Sequence, residues 1–199
     1  MPATRERIVN TSTELFGRQG FSATGMNQIV AEAQTALGSI YHFFPGGKEQ
    51  LCEEAIRTSG QIYMQLIEAV IDAAPDVTVG VHDFFVGAGA HLIATDYADA
   101  CPIATIALEV ATTNDELRRA TADVFELWIT ATSERLVAAG IPPGRARELS
   151  MFALAALEGA FILSQASRTV DAIEAAGTHV VACVRAALPS RPHRRRQST

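Results

Sequence analysis

The chain has 199 residues, 48% of them hydrophobic and 19% charged, enough for one substantial core or two small ones. It contains no run of eighteen or more apolar residues, and its start, MPATRERIVN, has no apolar export segment, so the expectation is a cytoplasmic protein with no membrane partner. The formal net charge of −6 is unevenly divided. Residues 1–50 balance four basic against four acidic side chains, residues 51–188 carry eight basic and eighteen acidic, and residues 189–199 hold four arginines and no acid.

The alanine-rich periodicity of about 3.6, with few alternating runs, predicts an all-α protein. A first helix is expected over residues 4–18, with Ile8, Leu15 and Phe16 on one face and Gly20-Phe21 as its stop. Thr24 is a suitable N-cap for a helix over 26–32, whose Met26, Ile29, Val30 and Ala33 share an apolar side. Thr35 can cap the next helix, 36–44. There the small residues Ala36, Gly38 and Ser39 leave one side flat, and Ile40, Phe43 and Phe44 anchor the other. Pro45-Gly46-Gly47 stops it. A long helix then runs over 48–73, ended by Ala74-Pro75. No loose linker precedes this helix, so motion in the body reaches the first fifty residues through a rigid element.

Further helices are expected over 79–94, 103–112 and 115–139. The first is apolar all round and so expected to be buried. Two last helices, 143–167 and 170–188, are rich in alanine, leucine and valine, with Ala153, Ala155, Ala156, Gly159 and Ala160 permitting close approach. Two such helices from each of two subunits predict a four-helix homodimer interface; packing inside one subunit is the alternative. The tail from Pro189 to Thr199 reads as a basic, disordered extension. The domain division is therefore 1–47, 48–188 and 189–199.

A short helix of small residues, presented by a preceding helix and a tight turn, has the shape that enters a DNA major groove. The run Gly38-Ser39-Ile40-Tyr41-His42-Phe43-Phe44, followed by Pro45-Gly46-Gly47-Lys48-Glu49-Gln50-Leu51, resembles the signature of the TetR/AcrR family of transcriptional regulators. Leu15-Phe16, Gly20-Phe21 and Thr24 fall where that family has similar residues. Cys101 to Val110, CPIATIALEV, is similar to a helix from the ligand-binding half of a drug- and flavonoid-responsive branch of these repressors. The resemblance implies a helix-turn-helix head at 1–47 and a ligand-binding and dimerisation body at 48–188. It implies a repressor released from a palindromic double-stranded operator by a small hydrophobic or aromatic effector. Phosphate contacts are assigned to Thr24, Tyr41 and Lys48, and base or methyl contacts to Thr35, Leu37, Gly38, Ser39 and His42. Two departures stand out: Gln34 occupies a turn position that is usually glycine, and Leu37 stands where a polar residue is common. Those two, with the neutral charge of the head, keep open a second reading, a helical small-molecule binder whose head no longer selects DNA.

In the body, a pocket is expected from Tyr63, Phe84, Phe85, His91, Phe125, Trp128, Phe152 and Phe161. His91, Glu109 and Glu158, set in apolar stretches, are candidates to orient a hydroxylated, aromatic or cationic ligand. Aromatics at helical spacing also serve as plain core. Nothing points to an enzyme: no glycine-rich phosphate loop follows a strand, and no nucleophile elbow occurs. The three cysteines, Cys52, Cys101 and Cys183, have no paired-ligand spacing, and His82, His91, Asp96, Asp99 and Cys101 match no metal pattern. No cofactor and no metal are expected.

Overall fold

The computed structural model describes residues 3–189, and every regular element among them is an α-helix. The first unit is built from α1 (Thr4–Ala23), α2 (Met26–Glu32) and α3 (Leu37–Phe43), with α1 packed along α4 (Gly47–Ala73). Ile8, Phe16, Ile29, Ile40, Phe44 and Leu51 are excluded from water and form its centre. Each such side chain contributes about 1.5–3 kcal/mol of transfer free energy, which is what lets two seven-residue helices hold their shape.

The local signals differ in detail from expectation. Gly20 breaks α1 with φ +82, but the chain takes one more turn to Ala23 before leaving the helix. Thr24 does not cap α2. Gly25 does so with extended backbone, while Thr24 is fully buried and its hydroxyl donates to the Gly20 carbonyl at 2.7 Å, an acceptor that the break leaves free. Thr35 does not cap α3 either: Ala36 is the N-cap, and the Thr35 amide donates to Val30 O at 3.1 Å. Between these helices Gln34 sits at φ +47, the left-handed region expected of a position usually held by glycine. Ile40 and Phe44 anchor α3 as expected, one turn apart. Phe43 lies a third of a turn aside and is exposed.

The body surrounds α4. Along it lie α5 (Val77–Ala94), α6 (Pro102–Val110) and α7 (Asp115–Ala138); α8 (Pro143–Ser167) packs on α7, and α9 (Asp171–Ala187) on α5 and α8. Asp76 opens α5 by accepting from the amides of Thr78 and Val79, bonds that hold its carboxyl below the usual range, chiefly through the Thr78 hydroxyl. Asn114 caps α7 through the Leu117 amide at 3.0 Å. At the α4–α7 crossing the glycine is required by close approach: a Cβ on Gly60 would lie 2.6 Å from Val124, and Trp128 Nε1 donates to the Gly60 carbonyl at 2.8 Å.

Contrary to expectation, α5 is not buried all round. Val81, Phe85, Gly89 and Leu92 face the interior, whereas Val86 and Ile93 are exposed, because α4 and α9 cover only one side. By length and composition α5 and α8 are apolar enough to cross a membrane, yet both are built into this helical body. The predicted basic tail lies outside the described residues except for Pro189, which rests against Gly140.

Candidate nucleic-acid interface and ligand cavity

Ile40 is the only buried residue within α3, so the rest of the helix faces outward. Leu37 and Tyr41 are 42% and 49% exposed, Gly38 and His42 are exposed, and Ser39 and Thr35 are half-buried. A Cβ at Gly38 would meet nothing within 4 Å, so this face is open to a bulky partner. An α-helix about 10–12 Å across with its side chains fits a major groove about 12 Å wide. Tyr41 leans on Gly47, and the His42 ring meets Phe43 edge-on at 5.0 Å. Lys48 places its ammonium 4.4 Å from the Phe21 ring centroid and 3.5 Å from the Ser22 carbonyl, joining α4 to the last turn of α1. Thr24 is the exception among the predicted contacts. Its hydroxyl is spent on Gly20 inside the unit and presents nothing to a phosphate.

In the body, α4, α5, α7 and α8 part around a cavity of about 430 Å³, within the range of small-ligand sites. Tyr63, Phe84, His91, Trp128, Glu158 and Phe161 line it, six of the ten predicted. The other four stand elsewhere. Phe85 is buried against Gly177 of α9, and Phe125 meets Trp128 edge-on at 5.8 Å from outside the cavity. Phe152 is 45% exposed on the outer side of α8, and Glu109 belongs to the joint between α1 and α6. Phe85 is one helical position off the inward-facing Phe84, and the other three lie on helix faces turned away from the cavity, a choice that packing makes and periodicity does not. Cys101 was missed: it caps α6 through the Ala104 amide at 3.4 Å, and its signal was the Pro102 that follows at the first helical position. Ile62 and Leu66 of α4 also line the cavity and are exposed.

Burial pushes the Glu158 carboxyl up to about 7, offset in part by a hydrogen bond from the Cys101 thiol. Burial and then the Glu158 charge push the Cys101 thiol well above its ordinary value, so it is no thiolate nucleophile. Two other hollows compare poorly. A void of about 50 Å³ between Ile71, Val81 and Ile129 is too small for a ligand. A groove of about 440 Å³ between α5 and α9 is walled by exposed Val86 and Ile93 and lacks a buried polar group. Among the described residues, no three His, Cys, Asp or Glu side chains gather to hold a metal.

A side cleft of about 150 Å³ shares Tyr63, His91, Ala100 and Pro102 with the cavity and reaches α1 at Thr13, Glu14, Gly17 and Arg18. Here body and head are fastened. The Arg18 guanidinium pairs with both oxygens of Asp99 at 2.7 and 3.0 Å, and a Cβ on Gly17 would lie 2.7 Å from Pro102. Glu109 accepts from the Ser22 amide at 2.8 Å and lies where a Gly20 side chain would be. The broken helix end at Gly20 is thus what admits the Glu109 carboxylate.

Regular elements that are all helices among the described residues, with an outward-facing third helix, a 27-residue fourth helix and a ligand-sized hollow behind it, form the architecture of a DNA-binding regulator. Comparison gives the family. Residues 8–55 match the model of bacterial regulatory proteins of the tetR family, and residues 78–179 match the C-terminal domain of LmrA/YxaF-like transcriptional regulators. The chain is 31% identical over 180 residues to the HTH-type transcriptional regulator LmrA of Bacillus subtilis, covering 90% of this chain and 94% of that one. It is 34% identical over 160 residues to YxaF of the same organism, an uncharacterised HTH-type regulator, covering 80% and 84%. Its fold is similar to a TetR regulatory protein from Rhodobacter sphaeroides (TM-score 0.79, 17% identity, 89% and 97% covered). It is also similar to reduced E. coli NemR (TM-score 0.76, 20% identity, 94% and 98% covered). The chain belongs to the TetR family of transcriptional regulators, with a body of the LmrA/YxaF type. It is a DNA-binding regulator and not an enzyme; the family binds DNA operators and small-molecule effectors and is usually dimeric.

Proposed function

We propose that this regulator is a repressor that leaves its operator when a small hydrophobic or aromatic molecule enters the cavity between α4 and α8. The observation that carries this reading is the shared wall. Ala100, Cys101 and Pro102 line the cavity, while the adjoining Asp99 and the same Pro102 hold Arg18 and Gly17 of α1. A molecule that displaces this segment moves α6, and α6 carries the Glu109 latch on the head. A ligand that prefers the displaced geometry shifts the population away from the DNA-competent state by its differential affinity.

In this proposal the head is residues 1–47 and the effector and dimerisation body 48–188. Tyr41 and Lys48 hold phosphates, and Thr35, Leu37, Gly38, Ser39 and His42 read bases and thymine methyls. The dimer forms through α8 and α9. Supporting this, Met151, Phe152, Ile162 and Leu163 are exposed by 42–61% along one side of α8, with Ala155 and Gly159 between them allowing close approach. Two copies then present paired α3 helices to successive major grooves of a cytoplasmic DNA palindrome.

The test is selection of bound duplexes from a random pool at two salt concentrations. An enriched palindrome supports the reading and supplies the probe for effector release. Recovery of only sequence-blind, salt-sensitive binding overturns it.

A further inference from the structure

The cavity holds an acid and no cation to match it. Glu158 is the one carboxylate on its wall, and none of the lining residues is a lysine or arginine. The titratable groups facing Glu158 are Tyr63 of α4, His91 of α5 and Cys101 ahead of α6. Trp128 of α7 brings only an indole N–H, already given to Gly60. The guanidinium in the adjoining side cleft, Arg18, is held by Asp99. That cleft is lined by Glu14 and Asp99 against Arg18 alone, an acidic excess, and the buried Ser59 hydroxyl on its wall has no hydrogen-bond partner among the described residues.

An apolar molecule filling this space strips the remaining water from Glu158, so the carboxyl must either stay ionised without a counter-ion or take up a proton, a cost that grows as pH rises above about 7. A molecule bringing its own positive charge removes that penalty. The ring faces of Tyr63, Phe84, Trp128 and Phe161 are also negative surfaces, and they favour a cation over a neutral group. Resting on the effector-site reading above, we propose that the cavity selects organic cations: an apolar or aromatic body carrying one ammonium group that pairs with the Glu158 carboxylate. Charge balances without any other reactant. When the carboxyl is protonated, one cation enters and one proton leaves to solvent; when it is ionised, the cation alone enters. Because burial sets the free carboxyl near 7, affinity rises with pH up to about 7 and is flat above it.

The test uses the full-length protein and two probes of one shape: (2-naphthylmethyl)trimethylammonium, whose charge does not titrate, and the uncharged 2-neopentylnaphthalene. The cation is expected to bind at least about tenfold tighter than its isostere at pH 8 and to lose about tenfold between pH 8 and pH 6, while the isostere loses nothing over that range. Glu158→Gln is expected to bring the two within about threefold and abolish the pH dependence, and Glu158→Asp to retain both. Equal or tighter binding of the isostere at pH 8 overturns the proposal, as does unchanged cation affinity in Glu158→Gln. Preference for uncharged 2-naphthol at pH 6 over the cation at pH 8 overturns it in favour of neutral hydroxylated ligands. Operator selection on the same preparation separates the two readings. If neither probe binds while a palindrome is still selected, the cation assignment fails and the regulator stands; if the cation binds and no palindrome is selected, the regulator reading fails alone.

Discussion

The exposed face of α3 and the cavity of the body solve opposite problems. On α3 the side chains proposed to meet DNA come from seven consecutive residues, and only Ile40 within the helix is committed to the interior. Leu37, Gly38, Tyr41 and His42 are exposed and not part of the core, so in the proposed reading they can vary with the operator. In the cavity Tyr63, Phe84, Trp128 and Phe161 come from four helices and are also packed against the core. A change there alters shape and stability together. Between the two lies the α1–α6 joint, where neither rule holds: Arg18–Asp99 and Glu109–Ser22 are polar links on an otherwise apolar crossing.

The joint is where the contrast breaks most sharply. Gly20→Ala places a Cβ in the Glu109 carboxylate and forces a side chain onto a φ of +82. A loss of about 3 kcal/mol in chemical denaturation is expected, with weakened operator binding at temperatures where the protein is still folded. A mutant as stable as the parent would show that the joint is plastic.

The cavity sharpens the comparison through pH. The folded Glu158 carboxyl, at about 7, lies above its ordinary value of 4.5, so the folded state holds the extra proton between those limits. Its penalty is absent below about pH 4.5, grows as pH rises, and is complete above about pH 7. Glu158→Gln is therefore expected to match the parent near pH 4.5 and to exceed it by on the order of 2–3 kcal/mol at pH 8, read from denaturation midpoints at the two pH values. A constant difference would mean that the carboxyl is not desolvated.

In the first unit the expected effects are smaller. Lys48→Ala is expected to weaken binding to all duplexes by about tenfold and to reduce the salt slope by about one. Leu37→Ala should cost only about threefold on the selected operator while relaxing the preference at one position. An unchanged selection profile would remove Leu37 from the reading surface. The smallest effect belongs to the turn: Gln34→Gly relieves a left-handed backbone at φ +47, against the entropy cost of glycine, for a gain of about 0.5 kcal/mol in stability.

Local chemistry made the head and the helix order legible. The break at Gly20, the Pro45-Gly46-Gly47 stop and the burial of Ile40 and Phe44 all follow from backbone freedom and from spacing along one helix, though α1 takes one more turn past Gly20 to Ala23. Capping was less legible, because Thr24 and Thr35 had competing uses for their groups. Thr24 satisfied the carbonyl freed by the Gly20 break, and Gly25 and Ala36 took the cap positions with extended backbone alone.

The amino-acid sequence by itself determined an all-helical chain, a small-residue third helix after a turn, a rigid fourth helix and an apolar body, because each rests on interactions within about four residues along the chain. Only the tertiary structure decided which aromatics face the cavity, that Glu158 and Cys101 meet there, and that Glu109 fastens the head. Those outcomes depend on how helices rotate against one another: a rotation of about 100°, one residue's worth, moves a side chain from ligand wall to core or solvent, and residue type does not encode that angle.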